Sequence, residues 1–160
     1  NNEGLLAYTA VIPRGHSKTF AEINISGGRI SHAIFQDANL ERANLSGVGM
    51  LQVDFRSAWL EGSRLVGSRL LKVSFGGANL SKADFTDSSM ERMLFEGVNL
   101  VGADFRGATL ESVDFYHSNL QGANLDGVDL QGVSLESCDL RGAILDLEGT
   151  VGVPEYMPWE

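Results

Sequence analysis

From Ile25 to Leu145 every fifth residue is Leu, Phe, Ile or Met, 25 positions in succession without a slip. These four types make up 38 of the 160 residues. Chance would give such a run with odds on the order of one in 10^15, so the chain is read first as a repeat. A helix advances about 100° per residue, and a period of five would drift about 140° per repeat and build no face. A strand alternates with period two, which an odd spacing defeats. The pattern therefore predicts a chain that turns a corner every five residues and returns each Leu or Phe to an interior axis.

The positions around each centre support this. Two residues before it stand Ala ten times, Val seven times and Ser four times, with Cys138, Ile23, Gly28 and Met93 making up the rest. That is the composition of a second inward position with little room. Immediately before the centre, Asn or Asp fills 13 of the 25 positions. Gly recurs two residues after it, as at Gly47, Gly62, Gly67, Gly97, Gly102 and Gly107. Corners favour these residues, which tolerate tight backbone geometry and bond locally to it.

Segments such as Ala38-Asn39-Leu40-Glu41-Arg42, Ala83-Asp84-Phe85-Thr86-Asp87 and Ala123-Asn124-Leu125-Asp126-Gly127 resemble the A(D/N)LXX unit of the pentapeptide repeat family. The resemblance covers about three quarters of the chain. It implies an all-β fold, a right-handed quadrilateral β-helix with four repeats per coil. The residues offer their own test of that figure, because positions 20 apart should then stack. Phe35, Phe55, Phe75, Phe95 and Phe115 form one such column, and Leu40, Leu60, Leu80, Leu100, Leu120 and Leu140 another. At about 4.8 Å per coil, about six coils make a rod roughly 30 Å long.

Three segments are expected: an N-terminal cap over 1–22, the repeat β-helix over 23–147 and a C-terminal cap or tail over 148–160. The caps would cover the open ends, whose unpaired backbone invites edge-to-edge association. The tail, with Tyr156, Met157 and Trp159 among its apolar residues, is also a candidate homodimer contact or junction to another domain. No signal-peptide pattern opens the chain, and no run approaches the roughly 18 apolar residues of a membrane span. The expected location is cytoplasmic or undetermined. The missing initiator Met leads us to expect a fragment, a mature form or a trimmed chain.

Catalytic chemistry is sparse. His32 and His117 follow their centres on different faces, and His16 lies in the expected cap. No serine stands in a nucleophile elbow, and the glycines recur at corner spacing rather than in a phosphate loop. The reading is a non-enzyme with no metal and no cofactor. The single cysteine, Cys138, argues against a disulfide framework.

Charge changes the picture. Residues 1–93 carry 10 Lys or Arg against 9 Asp or Glu, whereas residues 94–160 carry 2 against 12. Over residues 94–147 the net charge of −7 approaches the roughly 8 negative charges of duplex DNA over the same 13 Å or so of axis. The family resemblance gives this a meaning, since its quinolone-resistance members are understood as DNA mimics that occupy the DNA-binding saddle of type II topoisomerases such as gyrase. Asp104, Glu111, Asp114, Asp126, Asp129, Glu136 and Asp139 would stand for the phosphates. A rod of about 30 Å spans only about nine base pairs, so mimicry needs a dimer.

A second candidate surface lies where the repeat departs from its own rule. Gly49, Trp59, Arg64, Arg69 and Ser74 replace Asn or Asp within six repeats, with Leu51 and Leu71 outward nearby. Exposed Trp, Arg and Leu are ingredients of an interface hot spot. Leu51, Trp59, Arg64, Arg69, Leu71 and Lys72 are the expected contacts with a protein partner of unknown identity. Direct nucleic-acid and membrane binding are disfavoured by the net charge of −9. Three readings stand: a rigid protein–protein interaction module, an acidic DNA mimic acting as a dimer, and a β-helix domain of a larger protein such as a bacterial effector.

Overall fold

The computed structural model describes residues 19–146, whose regular structure is entirely β. Strands β1 (Arg29–Ser31), β2 (Gly49–Leu51), β3 (Arg69–Leu71), β4 (Ser89–Leu94) and β5 (Thr109–Asp114) form one parallel sheet in chain order. The register is 20 residues, with Arg29 opposite Gly49 and Gly49 opposite Arg69. Three further columns of parallel bridges keep the same offset, starting at Thr19, Asn24 and Ile34. Four columns offset by five residues describe a four-sided solenoid with one repeat per side. We call them the first face (Thr19, Asn39, Trp59), the second (Asn24, Asn44, Arg64), the strand face (β1–β5) and the fourth (Ile34, Asp54, Ser74). Regular strand pairing covers four coil-to-coil steps, against about six coils expected, and isolated bridges carry the ladder on to Ile144.

Residues 19–22 correct the expected N-terminal boundary. Thr19 pairs with Asn39, and the Phe20 and Glu22 amides donate to the carbonyls of Asn39 and Glu41 at 2.6 and 2.8 Å. The Phe20 ring meets Phe35 edge-on at 5.9 Å. These residues belong to the first coil because an apolar centre already stands at Phe20, one repeat before the periodic run began to be counted. The expected caps otherwise fall on residues 1–18 and 148–160, outside the described residues.

Each centre points inward. Phe35, Phe55, Phe75, Phe95 and Phe115 stack with centroids 4.8–5.5 Å apart. Phe85 and Phe105 form a second stack at 4.9 Å, wedged edge-on against the first at 5.6–6.4 Å. Offset stacks along the axis and edge-to-face contacts across it are the two favoured aromatic geometries. The small residues two before each centre fill what remains, and Ala43, Ala58, Ala83 and Ala103 are fully buried.

The corner has one conformation throughout. All 25 residues that lie two after a centre, from Glu22 to Gly142, have φ between 51° and 75°; 12 are Gly and 13 are not. Left-handed backbone costs a residue with a Cβ about 1–2 kcal/mol, so closing the coil imposes it even on His32, Lys72 and His117. Asn and Asp offset part of that. Twelve of the 13 before a centre accept the amide N–H two residues on, as Asn39 does from Glu41 at 2.9 Å. The thirteenth, Asp114, takes the Ser134 N–H of the next coil at 3.1 Å.

The strand face is built differently. Arg29, Gly49, Arg69, Ser89 and Thr109 precede its centres, and none of them can make that local bond as Asn or Asp does. The turn bond that closes most other corners is absent after Ile30, Met50 and Leu70, and the backbone extends into strands instead. Asp129 ends this regime. It captures the Gln131 N–H at 2.9 Å, the Val133 N–H closes a turn on Leu130 at 3.0 Å, and no backbone hydrogen bond joins residues 108–112 to 129–132. The seam between β5 and the next coil is open on this face alone, since the other three columns are bridged there.

Candidate interaction surface

Among the described residues the interior is filled by the inward Leu, Phe, Met, Val and Ala side chains, and the polar and charged groups are displayed on the faces. The described residues contain ten Lys and Arg. Six are in ion pairs: Arg42–Glu22 at 3.4 Å, Arg56–Asp54 at 2.7 Å, Lys82–Glu61 at 3.3 Å, Arg92–Glu91 at 3.3 Å, Arg106–Asp104 at 2.6 Å and Arg141–Asp139 at 2.5 Å. Exposed pairs add little stability. Their effect here is to cancel charge, which leaves Arg29, Arg64, Arg69 and Lys72 as the cations without an ion pair among the described residues. All four lie in the first three coils, on the strand face and the adjacent second face.

The residues expected to form one patch divide between faces. Leu51 and Leu71 are paired neighbours on β2 and β3, with Arg69 and Lys72 flanking Leu71. Arg64 stands on the second face between Asn44 and Asp84. Trp59, 59% exposed, stands on the first face between Asn39 and Asn79. The first face is opposite the strand face, so one flat partner cannot cover both. Arg29 shares the strand face with Leu51, Arg69 and Leu71. It was absent from the expected contacts, although it shares the 20-residue column of Arg69, and its side chain lies over Gly49, 3.7 Å from where a Cβ would be.

The seven carboxylates proposed to imitate phosphates also distribute round the rod. Asp139 is on the first face, Asp104 and Asp126 on the second, Glu111 and Asp129 on the strand face, and Asp114 and Glu136 on the fourth. The Arg106 and Arg141 side chains donate to Asp104 and Asp139, holding both carboxyls below the usual carboxylate range, as Arg56 does for Asp54. Glu111, Asp114, Asp126, Asp129 and Glu136 have no ion-pair partner among the described residues.

Burial pushes the Cys138 thiol up to about 11, and its Sγ donates to the Phe115 carbonyl, so it serves the ladder. His32 and His117 stand on different faces, and no group of three or more His, Cys, Asp or Glu among the described residues could hold a metal ion. Nor is any helix among them long and apolar enough to cross a membrane.

No curated protein matches the chain. Among solved structures it is similar to a pentapeptide repeat protein from the Arabidopsis thaliana thylakoid lumen, 28% identical over 66% of this chain and 70% of that one, with a TM-score of 0.48. It also matches trypsin-treated QnrB1, a plasmid-mediated fluoroquinolone resistance protein, at 21% identity over 84% and 74% with a TM-score of 0.40. A third match is a pentapeptide repeat protein from the cyanobacterium Cyanothece, 25% identical over 83% and 90% with a TM-score of 0.32. Family profiles described as pentapeptide repeats (8 copies) and pentapeptide repeat region match residues 24–58 and 68–145. With four faces, a 20-residue register and an inward Leu or Phe at every fifth position, the chain belongs to the pentapeptide repeat family.

Proposed function

We propose that this protein is a non-enzymatic interaction module that presents the N-terminal half of its strand face to a protein surface both acidic and apolar. The observation that carries this is the selective pairing of cations. Among the described residues six of ten are neutralised on the rod itself, while Arg29, Arg69 and Lys72 around Leu51 and Leu71 have no ion-pair partner there. Rigid strands hold the backbone that carries these groups, so docking orders side chains but little main chain. Arg64 lies one corner away and widens the basic rim.

The test compares proteins retained by the wild-type chain with those retained by Arg64→Glu/Arg69→Glu, at low and high salt. Partners held by the wild type are expected to be lost by the double variant and released as salt rises. Equal retention by both would overturn the reading.

A second reading, the dimeric DNA mimic, draws on the five unpaired carboxylates of the C-terminal coils, which ring the rod rather than line one face. It predicts inhibition of gyrase supercoiling that survives Arg64→Glu/Arg69→Glu. Asp126→Asn/Asp129→Asn/Glu136→Gln would abolish that inhibition.

A further inference from the structure

The strand face changes sign along the rod. Its outward residues, coil by coil, are Arg29-Ser31-His32, Gly49-Leu51-Gln52, Arg69-Leu71-Lys72, Ser89-Glu91-Arg92, Thr109-Glu111-Ser112 and Asp129-Gln131-Gly132. No acid precedes Glu91 on this face and no base follows Arg92. Those two, at the crossover, pair with each other at 3.3 Å. The three cations of the first three coils have no ion-pair partner among the described residues, and neither have Glu111 and Asp129 at the other end.

A face of one sign selects a foreign partner of the other sign. A face whose two halves carry opposite signs is complementary to itself when turned end over end. We infer that the partner of this face is a second copy of the chain, laid antiparallel and strand face to strand face. The two-fold axis would cross the rods near β4. Closed two-fold pairing is the commonest symmetric arrangement of like chains, and in it every contact occurs twice. With β4 on the axis, the coil of Arg69, Leu71 and Lys72 faces the coil of Glu111 in the other copy. Leu51 and Leu71 then leave solvent with them. This occupant rests on the reading of the strand face as an interaction surface.

The face limits how tight the pair can be. Five strands about 4.8 Å apart and roughly 15 Å of width give a few hundred Å² per copy, below the roughly 1,000 Å² total of a stable interface. The dimer is therefore concentration-dependent and, being held largely by charge, sensitive to salt.

Sedimentation of the full chain over a wide concentration range at low ionic strength tests this. The mass is expected to rise toward twice 17.2 kDa and to fall back in concentrated salt. Arg69→Glu/Lys72→Glu and Glu111→Lys/Asp129→Lys are each expected to stay monomeric, and an equimolar mixture of the two to regain the dimer, because each then meets the sign it lacks. A wild type that stays monomeric at the highest concentration overturns the inference. So does a dimer that survives both charge reversals, or a mixture that fails to reassociate. If the wild type is monomeric but Arg64→Glu/Arg69→Glu still loses captured proteins, self-pairing fails and the interaction-module reading stands. If the antiparallel dimer forms and no other protein is lost, the strand face is an interaction surface whose occupant is the second copy, and the reading of a foreign partner fails.

Discussion

A serine two residues before a centre means different things in different coils. Ser118 accepts the Val98 N–H at 3.0 Å and donates to the Phe95 carbonyl at 2.7 Å, so one hydroxyl completes a corner of the preceding coil. Ser63, Ser68 and Ser88 are as deeply buried, and their hydroxyls have no partner among the described residues. A buried polar group left unpaired costs about 1–3 kcal/mol, whereas a satisfied one contributes about 1. Ser68→Ala is therefore expected to stabilise the protein by about 1 kcal/mol, since Ala occupies this position in other coils without strain. Ser118→Ala is expected to destabilise by a similar or larger amount, because it strands the Val98 N–H. Urea denaturation of the two variants should move the midpoint in opposite directions; a shared direction would refute the distinction. Sequence alone saw four equivalent serines, because whether a hydroxyl finds a carbonyl depends on the coil above it.

At the scale of the element, the residue before the centre biases the choice between turn and strand without fixing it, since the corners after Phe35, Leu60, Leu65 and Phe75 close with a turn bond behind Ile34, Trp59, Arg64 and Ser74. Asn and Asp draw the backbone into a local bond and a tight corner. Arg, Gly, Ser and Thr on the strand face leave the amides to the neighbouring coil. Asp129 is the one carboxylate in that column, and the ladder parts beside it. The amides of Leu110 and Ser112, which have no backbone acceptor across the seam, are expected to exchange with deuterium well before those of Met90 and Arg92 inside the sheet. Equal protection at the four sites would show that the seam is closed in solution. The departures at Gly49 and Arg69 were legible in the sequence, but the column they share was not singled out there. They are steps in a column, Arg29, Gly49, Arg69, Ser89 and Thr109, that carries neither Asn nor Asp before Asp129.

The whole molecule is a stack in which each coil contacts only its neighbours, so stability is approximately a sum along the axis. A ring in the middle loses packing on both sides when removed, whereas one at the end loses less. Phe75, fully buried between Phe55 and Phe95, is expected to cost about 3–5 kcal/mol on truncation to Ala. Phe35, in the first coil and only partly buried, should cost distinctly less. Chemical denaturation gives the comparison, and equal losses would contradict a nearest-neighbour stack. Phe75→Asp, which buries a charge among apolar rings, is expected to prevent folding. By itself the sequence determined the period and the inward positions, because a period of five admits no helix or flat strand, while the 20-residue register came with the family resemblance and was supported by the Phe and Leu columns. It could not decide which cations remain free, which hydroxyls are satisfied or on which face Trp59 falls relative to Leu71. Those depend on side chains brought together from different coils, and only the closed rod sets their distances.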